Sequence, residues 1–318
     1  VMGMMALRPM LQYGYDKGLA TGLIGASDCL GILIPPSIML ILMASYAPGL
    51  SVGQLFAGAM IPGLLLGVMY AIYVVIIAWM RPDWAPKVTE ADKISRAAMW
   101  KMLVIEAVPP LILIQGILGS LLAGIATATE ASAIGALLAL LIVIMRGRFQ
   151  WATFYSALLE TGRTSAMILF IVVGATAFTG VFNITGGLRA SQDLIRGLAD
   201  DPYTLIAVML LVVFILGMFL DWTGIVLLSF PIFLPLVGEM GIDPLWFVVL
   251  MAVVLQTSFL SPPFGYALFY MRAIAPPEVS TTDIIMGVLP FIVMVLLMCA
   301  AMILFPALVT WLPLTLYG

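Results

Sequence analysis

The chain carries two adjacent prolines, Pro35 and Pro36, in the middle of a long apolar stretch. Proline lacks a backbone N–H and clashes with the preceding turn, so a proline pair ends an α-helix. Inside a bilayer, bare backbone groups are tolerated only where they are buried in protein or line a water-filled cavity. The stretch 27–37 therefore predicts either a functional break in a helix or a serious instability.

The composition indicates that this stretch does lie in a bilayer. Hydrophobic residues make up 64% of the chain and charged residues 9%, and the mean hydropathy is +1.20. Soluble domains carry roughly 25% charged residues, so we expect an all-α integral membrane protein. A net charge of -3 without a basic stripe argues against nucleic-acid binding. Histidine, the usual general base and metal ligand, is absent, which argues against an enzyme.

The proline pair recurs late in the chain as Pro262 and Pro263, in the same context. Asp16 precedes Pro35 by 19 positions, and Asp243 precedes Pro262 by the same number. A second spacing, of 15 positions, also recurs, at Ala47 and Pro62 and again at Ala275 and Pro290. A turn, a broken helix, another turn and a long span thus follow each other twice, which predicts an internal repeat.

Apolar and polar segments predict the order of the spans. Membrane crossings are expected at 51–80, 102–122, 130–145 and 164–183, with amphipathic helices at 149–163 and 188–199. Apolar arms at 202–219 and 223–240 meet at a polar tip, which predicts a re-entrant hairpin. The basic loop 81–101 should face the cytoplasm, and counting crossings from it places the two repeats in opposite orientations.

Inverted repeats with broken helices near the membrane midplane are typical of the binding sites of secondary transporters. The carbonyls freed before Pro35 and Pro262 can hold a hard cation such as sodium. Nearby hydroxyls that can assist belong to Ser27, Thr257, Ser258 and Ser261. The half-helices that begin at Ser37 and Phe264 point their positive dipole ends to the same place, where a carboxylate can bind.

The sequence resembles a known family, the large membrane subunit of tripartite ATP-independent periplasmic (TRAP) transporters. The resemblance covers nearly the whole chain and rests on five motifs, G-I-L-I-P-P-S at 31–37, A-T-E-A at 128–131, R-T-S-A at 163–166, G-M-F-L-D at 217–221 and S-P-P-F-G at 261–265. It implies an elevator-type ion-transporter fold, built from inverted repeats with re-entrant helical hairpins and broken helices. It also implies that the chain begins at about the second arm of the first hairpin.

The function implied by the resemblance is sodium-coupled import of a small organic acid across the bacterial inner membrane. The partners implied are a small DctQ-like membrane subunit and a periplasmic substrate-binding protein, and sodium is the coupling ion. Transport-domain parts are expected at 1–50 and 164–280, with the hairpin at 202–241 and the broken helix at 244–274. Scaffold or arm helices are expected at 51–163, and one final scaffold helix at 281–318.

These considerations give a set of candidate site residues. For substrate, they are Ser37, Pro36, Phe264, Gly265 and Arg272. For sodium, they are Ser27, Asp28, Gly31, Gly217, Asp221, Thr223, Thr257, Ser258 and Ser261. Two side chains keep alternative interpretations. Asp221 either caps a helix or lies near a cation, and Arg272 either contacts substrate or snorkels to the interface. Glu130 is expected to have a structural role at the start of a helix.

Asp28 departs from the family pattern, which more often has small neutral or hydroxyl residues there. A carboxylate at the centre of a membrane helix costs about 2.5–3.5 kcal/mol or more unless it faces a cation or water. Asp28 is therefore interpreted as a cation ligand, a proton carrier, or a determinant of a less anionic substrate.

Two other functions compete with the first. A free-standing sodium/carboxylate symporter of the same wider class would need no soluble partner. An intramembrane enzyme or a structural membrane protein is the remote alternative. The absence of paired carboxylates and of a nucleophile elbow argues against the enzyme, and the polar, broken midplane argues against a purely structural role.

Overall fold

The computed structural model describes residues 2–87, 95–198, 201–263 and 265–318. In this part of the chain every regular element is a helix, which confirms the prediction of an all-α protein. Six helices are long and apolar enough to cross a membrane, or seven spans if the bent pair around Pro35 counts as one. Packing divides the chain into two compact units, Val1–Val88 with Thr179–Gly318, and Thr89–Phe178.

The first repeat forms four helices, α1 (Met2–Gln12), α2 (Lys17–Leu33), α3 (Ile38–Tyr46) and α4 (Val52–Met80). Asp16 caps α2 by accepting a hydrogen bond from the Leu19 N–H at 2.9 Å. The proline pair ends α2, and α3 continues at an angle of 43° to it. Ser51 and Gln54 form a reciprocal capping box at the start of α4.

The middle of the chain forms α5 (Arg96–Leu122), α6 (Ala128–Met145), α7 (Trp151–Ile184) and α8 (Gly187–Leu198). Helix α5 packs against α6, and Arg146 after α6 bonds the Glu106 carboxylate at 3.1 Å. Glu130 forms a capping box with Thr127, whose N–H lies 2.8 Å from the Glu130 Oε2. The structural role predicted for Glu130 is confirmed.

Two predicted boundaries in these parts of the chain were wrong. The separate amphipathic helix at 149–163 is the first half of the continuous α7, because no proline interrupts the sequence from Trp151 to Ile184. Helix α5 begins at Arg96 instead of residue 102, because Ser95 caps it through the Ala98 N–H. Lys93 of the basic loop lies outside the described residues.

The second repeat forms α9 (Pro202–Gly217), α10 (Trp222–Glu239), α11 (Pro244–Leu260), α12 (Tyr266–Ile274), α13 (Thr281–Leu304) and α14 (Ala307–Tyr317). Helices α9 and α10 form the predicted hairpin around 218–221. Asp243 caps α11 through the Leu245 N–H, and Ser280 and Asp283 form a capping box on α13. The region 281–318, predicted as one final helix, holds two, because Pro306 interrupts the chain between them.

The packing partners of the two repeats mirror each other. The broken helix of each copy packs on the long span of the other, α2 on α13 and α11 on α4. Each short helix after a break contacts the helix that precedes the broken helix of the other copy, α3 on α10 and α12 on α1. The repeat is therefore a feature of the packing as well as of the sequence. The predicted inversion, which concerns the two membrane faces, stays a prediction.

Two observations describe how the broken helices pack within this unit. Helix α2 crosses α13 at glycines, since a Cβ added at Gly22 would lie 2.0 Å from the Gly287 carbonyl oxygen. Such small residues let membrane helices approach closely. Every residue of α11 from Leu245 to Leu260 is buried, and a helix that is apolar all round is a core helix. The end of α11, where the second break begins, is thus enclosed by protein.

Candidate functional site

Both breaks remove backbone donors at equivalent positions. Pro35 and Pro36 cannot donate to the carbonyls of Gly31 and Ile32, one helical turn earlier, and Pro262 and Pro263 cannot donate to those of Ser258 and Phe259. The peptide bond within each proline pair is cis. Each break therefore presents carbonyl oxygens that the helix itself cannot satisfy.

The first break satisfies much of its own polarity through Ser37. The buried Ser37 hydroxyl donates to the Ile32 carbonyl and accepts from the Leu40 N–H at 3.2 Å. Pro36 beside it is half-buried. Ser37, predicted to contact substrate, is therefore bonded to the chain on both sides of the break. Its role toward substrate stays a prediction.

The second break leaves buried polar groups without partners. In the described part of the chain, the hydroxyl oxygens of Ser258 and Ser261 and the Gln256 Oε1 are buried and make no hydrogen bond. The hydroxyl of Thr257, by contrast, donates to the Val254 carbonyl at 2.6 Å. Leaving a buried polar group unpaired costs about 1–3 kcal/mol. Unpaired buried polar groups in a native protein need an explanation, and a bound ion or water is one such explanation.

The hairpin turn between α9 and α10 lies against this second break. A Cβ added at Gly217 would lie 2.0 Å from the Ser258 Oγ, so only glycine allows the contact. Asp221 at the turn accepts from the Thr223 N–H at 3.1 Å, and Thr223 is buried. The capping role foreseen for Asp221 is confirmed, and its role near a cation stays a prediction. The structure thus brings Gly217 and Ser258 together, and their role toward sodium stays a prediction.

The first-repeat members of that set lie elsewhere. Ser27, Asp28 and Gly31 are exposed on one face of α2, and no atom within 4 Å would meet a Cβ at Gly31. None of the three makes a described contact with Ser258 or Ser261. The predicted sodium ligands therefore differ in exposure between the two breaks. Only the group at the second break is buried.

Asp28 faces a cleft that the two repeats form together. The cleft has a volume of about 240 Å³ and runs between α2 and α12. Its lining includes Gly25, Asp28, Cys29 and Ile32 from α2, and Phe259, Tyr266, Ala267, Tyr270, Met271 and Ile274 from the second repeat. Sequence reasoning missed both tyrosines, although they follow the second proline pair four residues apart, a spacing that places them on one helix face.

The remaining predicted substrate residues do not all lie at the second break. Gly265 precedes α12 as its N-cap without a side-chain hydrogen bond, and a Cβ there would lie 2.8 Å from the Phe259 carbonyl oxygen. Phe264 lies outside the described residues. Arg272 sits in the last turn of α12, away from the break, and its guanidinium donates to the Val279 carbonyl at 2.5 Å. Contact between Arg272 and substrate stays a prediction.

Comparison with known proteins places the chain in a family. A family model described as tripartite ATP-independent periplasmic transporter, DctM component, matches residues 1–308. The C4-dicarboxylate TRAP transporter large permease protein DctM of Pseudomonas aeruginosa is 30% identical over 315 residues, which cover 98% of this chain and 71% of that protein. The ectoine TRAP transporter large permease protein TeaC of Halomonas elongata is 32% identical, with 94% and 69% covered.

The sialic acid TRAP transporter large permease protein SiaM of Vibrio cholerae is 28% identical, with 98% of this chain and 71% of that protein covered. All three relatives are named as transporter permeases, so the chain is not an enzyme. The family match, the membrane spans and the paired broken helices agree with one another. The chain belongs to the DctM family, the large permease component of tripartite ATP-independent periplasmic transporters.

Proposed function

We propose that this chain carries the translocation site of a sodium-coupled importer for a small organic acid. The family supports secondary transport of organic acids, and the chain is a multi-pass membrane protein. Coupling to sodium is our inference. It rests on one observation, the buried and unpaired hydroxyls of Ser258 and Ser261 beside carbonyls that Pro262 and Pro263 leave bare. Hard cations are held by several oxygen ligands of this kind.

Sodium would bind at the second break between Ser258, Ser261 and the hairpin turn that approaches at Gly217. Burial there removes competing water and lowers the dielectric constant, which strengthens the attraction between the oxygen dipoles and the ion. The ion would satisfy the hydroxyls that the chain leaves unpaired, which links its binding to closure of the hairpin against α11. The unpaired cluster is confined to one break, and we therefore place the stronger ion site there.

The carboxylate of the substrate would bind close to the start of α12. Backbone N–H groups at the start of a helix are unpaired and carry a partial positive charge. Gly265 provides no side chain to cap them, whereas Ser37 caps α3. An anion can therefore approach α12 more readily than α3. Proximity to the ion site would allow sodium to favour anion binding electrostatically.

Movement of the substrate would follow an elevator mechanism, in which the hairpins and broken helices slide against a scaffold in the inner membrane. The relatives are named as large permease proteins, which implies a smaller membrane subunit and a periplasmic binding protein as partners. The mirrored packing of the two repeats supports this proposal, because two similar halves can exchange environments when the carrier moves.

The test is uptake by the purified permease with its membrane subunit in proteoliposomes, with an imposed sodium gradient, with and without the periplasmic partner. We expect uptake only with both sodium and the partner present. Uptake that needs no partner would instead support a free-standing symporter. Uptake that is indifferent to sodium would overturn the coupling and the assignment of Ser258 and Ser261.

A further inference from the structure

We propose that the cleft between α2 and α12 binds the positively charged group of a zwitterionic substrate, with Asp28 as its counter-ion and Tyr266 and Tyr270 as its aromatic walls. The proposal rests on the proposed transport function and names the substrate class. It also reassigns Asp28, which the sequence placed among the sodium ligands.

Asp28 is the first argument. It lies within the apolar helix α2, is exposed, and lines the cleft. In the part of the chain that the structure describes, no arginine or lysine forms an ion pair with it. A carboxylate at this depth is costly unless a cation or water faces it. The side chain therefore needs water or a positive group in the cleft, and the described chain supplies no positive group there.

The walls of the cleft identify that group as organic. Tyr266 and Tyr270 expose 56% and 60% of their surface, and both line the cleft with Asp28. Aromatic faces attract an ammonium group within about 6 Å of the ring centre, most strongly when it is poorly hydrated. Phe259, Ile32, Met271 and Ile274 make the rest of the lining mostly apolar. An alkylated ammonium suits this lining better than a bare sodium ion, which needs several oxygen ligands.

The size and position of the cleft fit a small zwitterion. Its volume of about 240 Å³ is below the roughly 300–1,000 Å³ of pockets for drug-sized ligands. Tyr266 is also the first residue of α12. A molecule whose ammonium contacts Asp28 can thus direct a carboxylate toward the N-terminus of α12. The unpaired hydroxyls of Ser258 and Ser261, which flank Phe259 of the cleft lining in the sequence, add polar groups near this break.

The repeat supplies an internal comparison. With the proline pairs aligned, Leu255 occupies the position of Asp28, and Met39 and Met43 occupy those of Tyr266 and Tyr270. The other copy therefore has neither an acid nor an aromatic residue at these positions. The acid and the tyrosines occur together in one cleft only, on two different helices. This arrangement points to a ligand that is bound on one side of the pseudo-symmetric site.

The experiment compares two probes that differ only in charge. Glycine betaine carries a trimethylammonium group, and 3,3-dimethylbutanoate replaces its nitrogen by carbon. Binding of each is measured by thermal shift and calorimetry on the full permease with its membrane subunit. We expect glycine betaine to bind at least about tenfold more tightly, which corresponds to about 1.4 kcal/mol.

Asp28→Asn should abolish that preference and leave the affinity for 3,3-dimethylbutanoate within about twofold. Tyr266→Leu and Tyr270→Leu should each reduce the preference for glycine betaine in part. Asp28→Glu should retain most of the preference. Asp83→Asn, a charge change in the exposed loop after α4, should leave the preference unchanged. Equal binding of the two probes by the wild-type protein would overturn the proposal, as would an Asp28→Asn variant that loses sodium dependence but keeps the preference.

Competition for sodium-driven uptake separates this proposal from the proposed function. Succinate, glycine betaine and 3,3-dimethylbutanoate are each offered as substrates and as competitors. Uptake of succinate without competition by glycine betaine would leave the proposed function standing and overturn the zwitterion site. Binding of glycine betaine through Asp28 without sodium-dependent uptake of any probe would uphold the site and overturn the sodium coupling.

Discussion

The two helix breaks share a proline pair but differ in how their polar groups are used. At the first break, the Ser37 hydroxyl bonds the Ile32 carbonyl and caps α3. At the second, the hydroxyls of Ser258 and Ser261 make no hydrogen bond with the described chain, and α12 has no side-chain cap. A repeated motif can thus keep its backbone shape while one copy becomes structural and the other stays open for ligands.

The largest effect should come from closing the space between the hairpin turn and the second break. Gly217→Ala would place a Cβ 2.0 Å from the Ser258 Oγ and 3.1 Å from its Cα, and thus push the turn away. Overpacking costs about 1–3 kcal/mol. We expect sodium-driven uptake to fall by about tenfold or more. Gly31→Ala is the matched control at the first break, where nothing lies within 4 Å, and equal losses for both variants would contradict the comparison.

Removing the unpaired hydroxyls tests the ion site directly. Ser258→Ala or Ser261→Ala should raise the sodium concentration for half-maximal uptake by about tenfold, the equivalent of one lost ligand worth about 1.4 kcal/mol. Without sodium, the melting temperature should stay the same or rise slightly, because an unsatisfied buried group is removed. A lower melting temperature with an unchanged sodium dependence would show that these hydroxyls are structural.

Ser37→Ala should give the opposite pattern at the first break. The loss of an N-cap costs about 0.5–2 kcal/mol, and the Ile32 carbonyl loses its donor as well. The free energy of unfolding should therefore fall by about 1 kcal/mol, while the sodium dependence stays unchanged. Ser37→Thr, which keeps the hydroxyl, should retain stability. A shift in sodium dependence would mean that both breaks bind the ion.

Thr257→Val should have the smallest effect. The Thr257 hydroxyl already donates to the Val254 carbonyl within α11, and valine has a similar shape. We expect sodium dependence to change by less than about twofold and stability by less than about 1 kcal/mol. A tenfold change in sodium dependence, measured beside Ser258→Ala, would restore Thr257 to the ion site that the sequence predicted for it.

Much of the architecture was predictable because it depends on local chemistry. Proline pairs end helices wherever they occur, and Asp16 and Asp243 are strong N-caps, so both broken helices begin and end close to where the sequence placed them. The separate amphipathic helix at 149–163 was a wrong prediction, since a change of polarity along a helix does not interrupt its backbone hydrogen bonds. The polarity of a segment indicates where it lies relative to the membrane, but it does not indicate where a helix begins or ends.

The candidate site was predictable only in part. Ser258, Ser261 and Gly217 were chosen from their motifs, and the structure brings Gly217 against Ser258. Tyr266 and Tyr270 were missed because an aromatic residue in a membrane helix usually faces lipid or core, and nothing local distinguishes these two. Arg272 was chosen for its charge alone, and its bond to Val279 depends on a turn that folds back after α12.

By itself, the sequence determined that this protein is a helical membrane protein with two broken helices in a repeated order. Hydropathy, proline and capping residues act over a few positions, so they need no knowledge of the fold. Only the tertiary structure decided which hydroxyls find partners, and that Asp28 meets Tyr266 and Tyr270 across two repeats. The cleft depends on the packing of residues more than 200 positions apart, which no local pattern specifies.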